Sequence, residues 1–216
     1  VLGGKEKHEI TLPSRQIISH KGASQKPRTT LARPRDVVVG IGCVVCMWGE
    51  LRERGWTVKN EAMPVVSIVS LKGGVGKTAV TLGLAGAATS RGLASLVVDL
   101  DPQGNATSIL RTHPSKTSVA NVLEHPTRAE IEGALTPCDW EIGPGEVDVL
   151  ASHPSVIRFD SWTHPGSAFT PKLAKAITQL NGYDLVLIDC PPSLGALTRE
   201  ALAASDLALI AFCLEL

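Results

Sequence analysis

The sequence predicts an α/β protein of three layers, with a mostly parallel central sheet covered by helices on both faces. Short continuous runs of Val, Ile and Leu recur from residue 64 onward, and a strand that reads as an unbroken apolar run is buried on both faces. Segments with small and apolar residues at helical spacing separate these runs. Strands and helices in alternation make a parallel sheet, with right-handed crossovers fixing most of its topology. A third observation places the ligand. Three of the runs lead into glycines or end in carboxylates, and open parallel sheets bind ligands beyond the carboxyl ends of their strands.

PVVSIVS (64–70), bounded by Pro64 and the glycines at 73 and 74, is the first buried strand. KTAVTLGLAGAATS (77–90) is a helix that Gly92 closes. ASLVVDL (94–100) is the second strand, and 101–146 holds short helical pieces and loops, such as SVANVLE (118–124). VDVLAS (147–152) is the third strand. PKLAKAITQL (171–180) is a helix with Pro171 at its start and Gly182 beyond its end. YDLVLIDC (183–190) is the fourth strand, TREALAAS (198–205) a helix and DLALIAFCLE (206–215) the fifth strand.

Residues 1–62 have another character. They carry eleven Lys and Arg against six Asp and Glu, whereas the rest of the 216-residue chain carries ten against fifteen. Residues 1–35 are polar and basic with little periodicity, the composition of a disordered tail. Residues 36–62 contain VVVGIGCVVCMW (37–48) and then ELRERGWTVKNEA, which fits one short helix. The 12-residue apolar run is too short for a bilayer, which takes roughly 20 helical residues, so it reads as a buried strand or short packed segment. We therefore expect a basic, poorly ordered N-terminal extension (1–62) before a domain at 63–216, with no signal peptide and no membrane partner.

Aromatic residues make up 4% of the chain, so the core must be aliphatic. Five cysteines, an odd number, fit reduced thiols in a cytosol better than a disulfide framework. Cys43-Val-Val-Cys46 has metal-ligand spacing, but a zinc site needs about four ligands and no second pair follows. Cys190 reads as packing, because the carboxylate beside it disfavours a thiolate.

The chemistry lies at three strand ends. After the first strand comes LKGGVGKT (71–78). The usual phosphate-binding loop has Gly, four residues, then Gly-Lys-Ser/Thr. Gly76, Lys77 and Thr78 fit its second half, but Leu71 stands where the first glycine would be, and an extra lysine, Lys72, follows. Glycines let backbone amides wrap a phosphate, and the next helix adds the partial positive charge of its N-terminus. Lys77 would reach the β- and γ-phosphates and the Thr78 hydroxyl would ligate Mg²⁺. After the second strand comes DLDPQGNAT, with Asp99 and Asp101 on one side if strand alternation holds. Near a triphosphate and Mg²⁺, one carboxylate would serve the metal's water shell and the other the attacking water. The alternative is a helix cap or a turn, for which Asp-Pro and Gly-Asn are well suited. The fourth strand ends at Asp189, a charge that burial makes costly unless it is paired or near a metal.

Together, KGGVGKT, DLDPQGNAT and LVLIDCPPSLG closely resemble, in order and separation, the ParA/Soj branch of the deviant-Walker P-loop ATPases. The resemblance covers residues 63–216. It implies the three-layer P-loop NTPase fold, with Gly73, Gly74, Val75, Gly76, Lys77, Thr78 and Ala79 binding ATP. Thr78, Asp99 and Asp189 would stand around Mg²⁺. Asp101 would position the hydrolytic water, and Lys72 would reach a partner's nucleotide across a dimer. The family forms an ATP-dependent homodimer that binds DNA nonspecifically. A ParB-like centromere-binding protein stimulates its slow hydrolysis, and it acts in chromosome or plasmid partitioning, in the cytoplasm on the nucleoid.

This chain departs from the family pattern in three respects. Ala79 stands where a second hydroxyl is frequent, which should weaken contact with the α-phosphate while leaving the backbone N–H. The chain stops at Leu216, where family members continue through further helices and strands. Residues 1–62 have no counterpart, as an upstream-extended reading of the gene or a genuine basic extension would give. Two alternatives stand beside the partitioning reading: a MinD-like switch with another cargo, and a truncated, inactive chain acting only as a binding module.

Overall fold

The computed structural model describes residues 36–39, 63–110, 117–138, 140, 143–160 and 169–212. Seven strands form one sheet: β1 (Asp36–Val39), β2 (Val65–Val69), β3 (Ser95–Asp99), β4 (Leu135–Pro137), β5 (Val147–Leu150), β6 (Leu185–Asp189) and β7 (Leu207–Ile210). Their order is β1-β7-β2-β6-β3-β5-β4. Every neighbouring pair is parallel except β4 with β5. All residues of β2, β3 and β6 are buried, which is why these strands are mostly apolar and have no polar face, with Ser67, Ser95 and the terminal Asp99 and Asp189 as their buried polar residues.

Alternation sends successive side chains into two cores. Leu96, Val98, Val186 and Ile188 join the core under helices α3 (Val119–Glu124), α4 (Arg128–Ala134), α5 (Lys172–Ile177) and α6 (Ala196–Ala204). Val97, Leu185 and Leu187 join the core under helices α1 (Lys77–Thr89) and α2 (Asn105–Leu110). Each such side chain, fully buried, contributes about 1.5–3 kcal/mol of transfer free energy.

Two devices seat the helices. The end of α1 rests on the turn around Gly143 and Gly145, where Gly145 N donates to Thr89 O at 3.0 Å. A Cβ at Gly145 would lie 2.4 Å from Leu93 O, so the approach of backbone to backbone requires glycine. The start of α5 is capped from another helix. Leu173 N donates to Oε2 of Glu200, in α6, at 2.9 Å. Burial raises the Glu200 carboxyl above its ordinary range, while the amides of Leu173 and Lys172 pull the other way.

The predicted three-layer fold is the observed one, and each of its five strands and three longer helices is present. The fifth strand is shorter than read, ending at Ile210, and residues 213–216 lie outside the described part. The helix read at 171–180 ends at Ile177 and passes through a turn to Gly182, whose φ is +93°. The short elements α2, α4 and β4 in 101–146 span seven residues at most, too few to set a period in sequence. Four residues upstream of Met63 take part in the sheet. β1 runs beside β7 with Asp36 opposite Leu207, giving a place to part of a segment the sequence left without one. The remainder of 1–62, including the basic tail and Cys43 and Cys46, lies outside the described residues.

Candidate functional site

Because β2, β6 and β3 are adjacent and parallel, their carboxyl ends stand side by side. The loop leaving β2 is exposed from Leu71 to Gly74. Gly74 and Gly76 have φ of +74° and +91°, a left-handed region that costs other residues about 1–2 kcal/mol. A Cβ on Gly73, Gly74 or Gly76 would meet nothing within 4 Å, so the ground above the loop is open. Ser70 closes the turn: its Oγ accepts from Lys72 N and donates to Lys72 O, both at 3.2 Å. Lys72, on which that clasp acts, is exposed.

Gly76 precedes the first turn of α1, and no side chain caps that turn. Lys77, its first residue, is buried, while Ala79 is exposed. The next residue, Thr78, donates from Oγ1 to Asp189 Oδ2 at 2.7 Å, joining groups 111 residues apart. Asp189 is 1% exposed, and its other oxygen, Oδ1, is buried without a hydrogen-bond partner. Burial pushes the Asp189 carboxyl up to about 7. Asp99 and Asp101 add to the rise, and the Thr78 hydroxyl and Lys77 ammonium oppose it. An unpaired buried acceptor costs about 1–3 kcal/mol. Here it stands beside a hydroxyl and a buried lysine, a donor set that suits a hard cation and phosphate oxygens. Cys190, fully buried, has its thiol pushed far up, first by burial and then by Asp189, in keeping with a packing role.

Asp99 stands directly opposite Asp189 in the β3–β6 register. It is fully buried and accepts three hydrogen bonds: Asp101 N on Oδ1 at 3.0 Å, and Thr107 N and Oγ1 on Oδ2, each at 2.8 Å. Burial raises its carboxyl, and these donors counter part of the rise. Asp99 thus does hold the start of α2, as the helix-cap alternative required.

Asp101 is placed by a turn and not by strand alternation, because β3 ends at Asp99. Gly104 N donates to Asp101 O at 2.8 Å with Gly104 at φ +64°. One carboxylate oxygen of Asp101, Oδ1, accepts from Gln103 N at 2.9 Å. A residue that sequence reasoning missed completes the arrangement. Ser152, just beyond β5, donates from Oγ to Asp101 O at 2.6 Å, and its N–H donates to Thr107 Oγ1 at 2.8 Å. Its only signal in the sequence was its place, at the carboxyl end of another apolar strand.

A glycine loop entering a helix, a buried lysine, and a hydroxyl bonded to the carboxylate of a neighbouring strand are the marks of a P-loop NTPase fold. The comparisons carry this class to a family. A family model described as "AAA domain" matches residues 63–216. The chromosome partitioning protein ParA of Myxococcus xanthus is 33% identical over 162 residues, covering 73% of this chain and 54% of its own. The chromosome-partitioning ATPase Soj of Thermus thermophilus is 35% identical over 142 residues, covering 65% and 51%. Among solved structures, cobyrinic acid a,c-diamide synthase from Mycobacterium smegmatis, with bound ATP analog and magnesium, matches with a TM-score of 0.61. It is 31% identical and covers 70% of this chain and 60% of that one. The chain belongs to the ParA/Soj family of P-loop ATPases. It spans about half the length of the curated relatives it matches.

Proposed function

We propose that this chain carries the nucleotide site of a ParA-type partitioning ATPase, a switch that binds MgATP, dimerises on it and hydrolyses it slowly. The observation that carries the reading is the Thr78–Asp189 pair, with Asp189 Oδ1 unpartnered beside buried Lys77. In this reading the amides of Gly73, Gly74, Val75, Gly76, Lys77, Thr78 and Ala79 cradle the phosphates, and Lys77 meets the β- and γ-oxygens. Thr78 and Asp189, with Asp99 behind them, hold Mg²⁺ and its water shell. When bound there, Mg²⁺ would supply positive charge that offsets the negative charge developing on the phosphates. Asp101 orients the attacking water with the oxygen that Gln103 leaves available, and Lys72 serves a partner's nucleotide across the dimer. Residues 63–216 form the ATPase domain and 1–62 a basic extension. The ATP-bound dimer binds DNA without sequence preference on the nucleoid, and a ParB-like protein stimulates hydrolysis. Among the described residues no helix is long and apolar enough to cross a membrane, and the reading includes no membrane partner.

Two measurements test it. ATP turnover of Lys77→Ala and Asp101→Ala should fall by about a hundredfold or more, the scale of losing a group that stabilises or orients the transition state. A parental rate in either variant removes that residue from the site. Sedimentation with ATP, with ADP and without nucleotide should show a dimer only with ATP, and Lys72→Ala should abolish it. A chain that stays monomeric throughout would leave the binding-module alternative in its place.

A further inference from the structure

Residues 152–160 touch the turn that carries Asp101 and the end of the loop that follows β6. At one end, Ser152 Oγ donates to the Asp101 carbonyl and Ser152 N to Thr107, which itself donates to Asp99. At the other, Asp160 Oδ1 accepts from Leu197 N at 3.0 Å, at the start of α6 and just beyond the loop that follows Asp189. A Cβ at Gly195 would lie 2.0 Å from that same Oδ1, so the loop backbone passes directly against the Asp160 carboxylate.

The connection between the two ends is short and held along its length. It is a 3₁₀ helix, Pro154–Phe159, with Pro154 in its first turn. His153 Nδ1 accepts from Ser155 N at 3.2 Å, and Asp160 N donates to Ile157 O at 3.0 Å. Val156 is fully buried in the core, so the middle of the segment is anchored as well as its ends. Pro154, with its fixed φ, further restricts the start of the segment.

We infer that residues 152–160 form a strut setting the spacing between the Asp101 turn and the loop after Asp189, with Ser152 and Asp160 as positioning residues for hydrolysis. The inference rests on the reading of Asp101 given above. Ser152 holds Asp101 by its backbone carbonyl, which fixes the turn without engaging the carboxylate. The strut fits a reaction whose attacking water and metal-side oxygens are served from different strands. A misplacement near 1 Å costs up to about a hundredfold in rate.

The test uses the full chain with Ser152→Ala, Ser152→Thr, Asp101→Ala and the Ser152→Ala/Asp101→Ala double variant. Turnover of ATP and affinity for a fluorescent ATP analogue are measured alongside amide hydrogen exchange. Ser152→Ala should lower kcat by about tenfold to a hundredfold while nucleotide affinity stays within about twofold, and Ser152→Thr should restore the rate. In the Asp101→Ala background the serine change should have almost no further effect. Exchange should quicken in Ser152→Ala both at Gly104 and at Leu197. If Asp101→Ala is slow but Ser152→Ala turns over at the parental rate, or the two losses multiply, the strut is overturned and the role of Asp101 stands. If Asp101→Ala keeps the parental rate, the reading of Asp101 itself falls. If turnover is too slow to measure, exchange decides, and quickening confined to Gly104 overturns the coupling.

Discussion

At Asp189 a carboxylate is held in an apolar strand end with one oxygen bonded to Thr78 and the other without a partner. Its folded-state pKa, about 7 against an ordinary 3.8, means that the folded chain keeps a proton the unfolded chain releases. Stability from this group is therefore full below about pH 4 and is lost as pH rises towards 7, a change on the order of a few kcal/mol. Asp99 and Glu200, also raised, add slopes of the same sign. Unfolding midpoints of the nucleotide-free chain should fall across that range, and Asp189→Asn should remove a large part of the slope. An unchanged profile in the variant would show the carboxyl to be ordinary. Lys77, Thr78 and Asp189 were legible because each sits in a contiguous pattern at a strand end. Ser152 was not, because its hydroxyl matters only through a carbonyl 51 residues away. Asp101 was legible as a residue, but the turn that places it was not.

The elements that could be read are those long enough to show a period or buried enough to be wholly apolar, such as β2, β6 and α1. What the sequence could not give was how they are fastened. Gly145 lies outside any motif, yet its Cα faces the Leu93 carbonyl so closely that a methyl has no room. Gly145→Ala should destabilise the chain by about 1–3 kcal/mol, the usual cost of overpacking, with the loss read by denaturant titration and exchange quickening at the end of α1. The α5 cap gives a second case. Glu200→Ala removes the acceptor for Leu173 N and should cost about 0.5–2 kcal/mol. A neutral result would mean that water or a neighbouring group replaces the carboxylate. Such tertiary caps escape sequence reading because the capping residue belongs to a different helix from the one it caps.

At the scale of the whole molecule, the sheet extends beyond the domain boundary drawn at Met63. β1 covers one edge of β7, whose other edge pairs with β2. A chain beginning at Asp36 should keep this pairing, whereas one beginning at Met63 exposes a parallel edge of unpaired backbone groups, which favours association. Sedimentation of the two without nucleotide should show concentration-dependent self-association only in the shorter. Equal behaviour would make β1 dispensable. The fold class followed from alternation of segments, but β1 did not, since nothing in a short apolar run tells which strand it will join.

The strand order also constrains how the protein comes to exist. β6 occupies the slot between β2 and β3, although it leaves the ribosome long after both. The first two strands must stay apart, held open for a third that is not yet made, and pairing them early would close the slot. Contacts of such long sequence separation slow folding. Until Asp189 has emerged and inserted between β2 and β3, the glycine loop has no carboxylate opposite it.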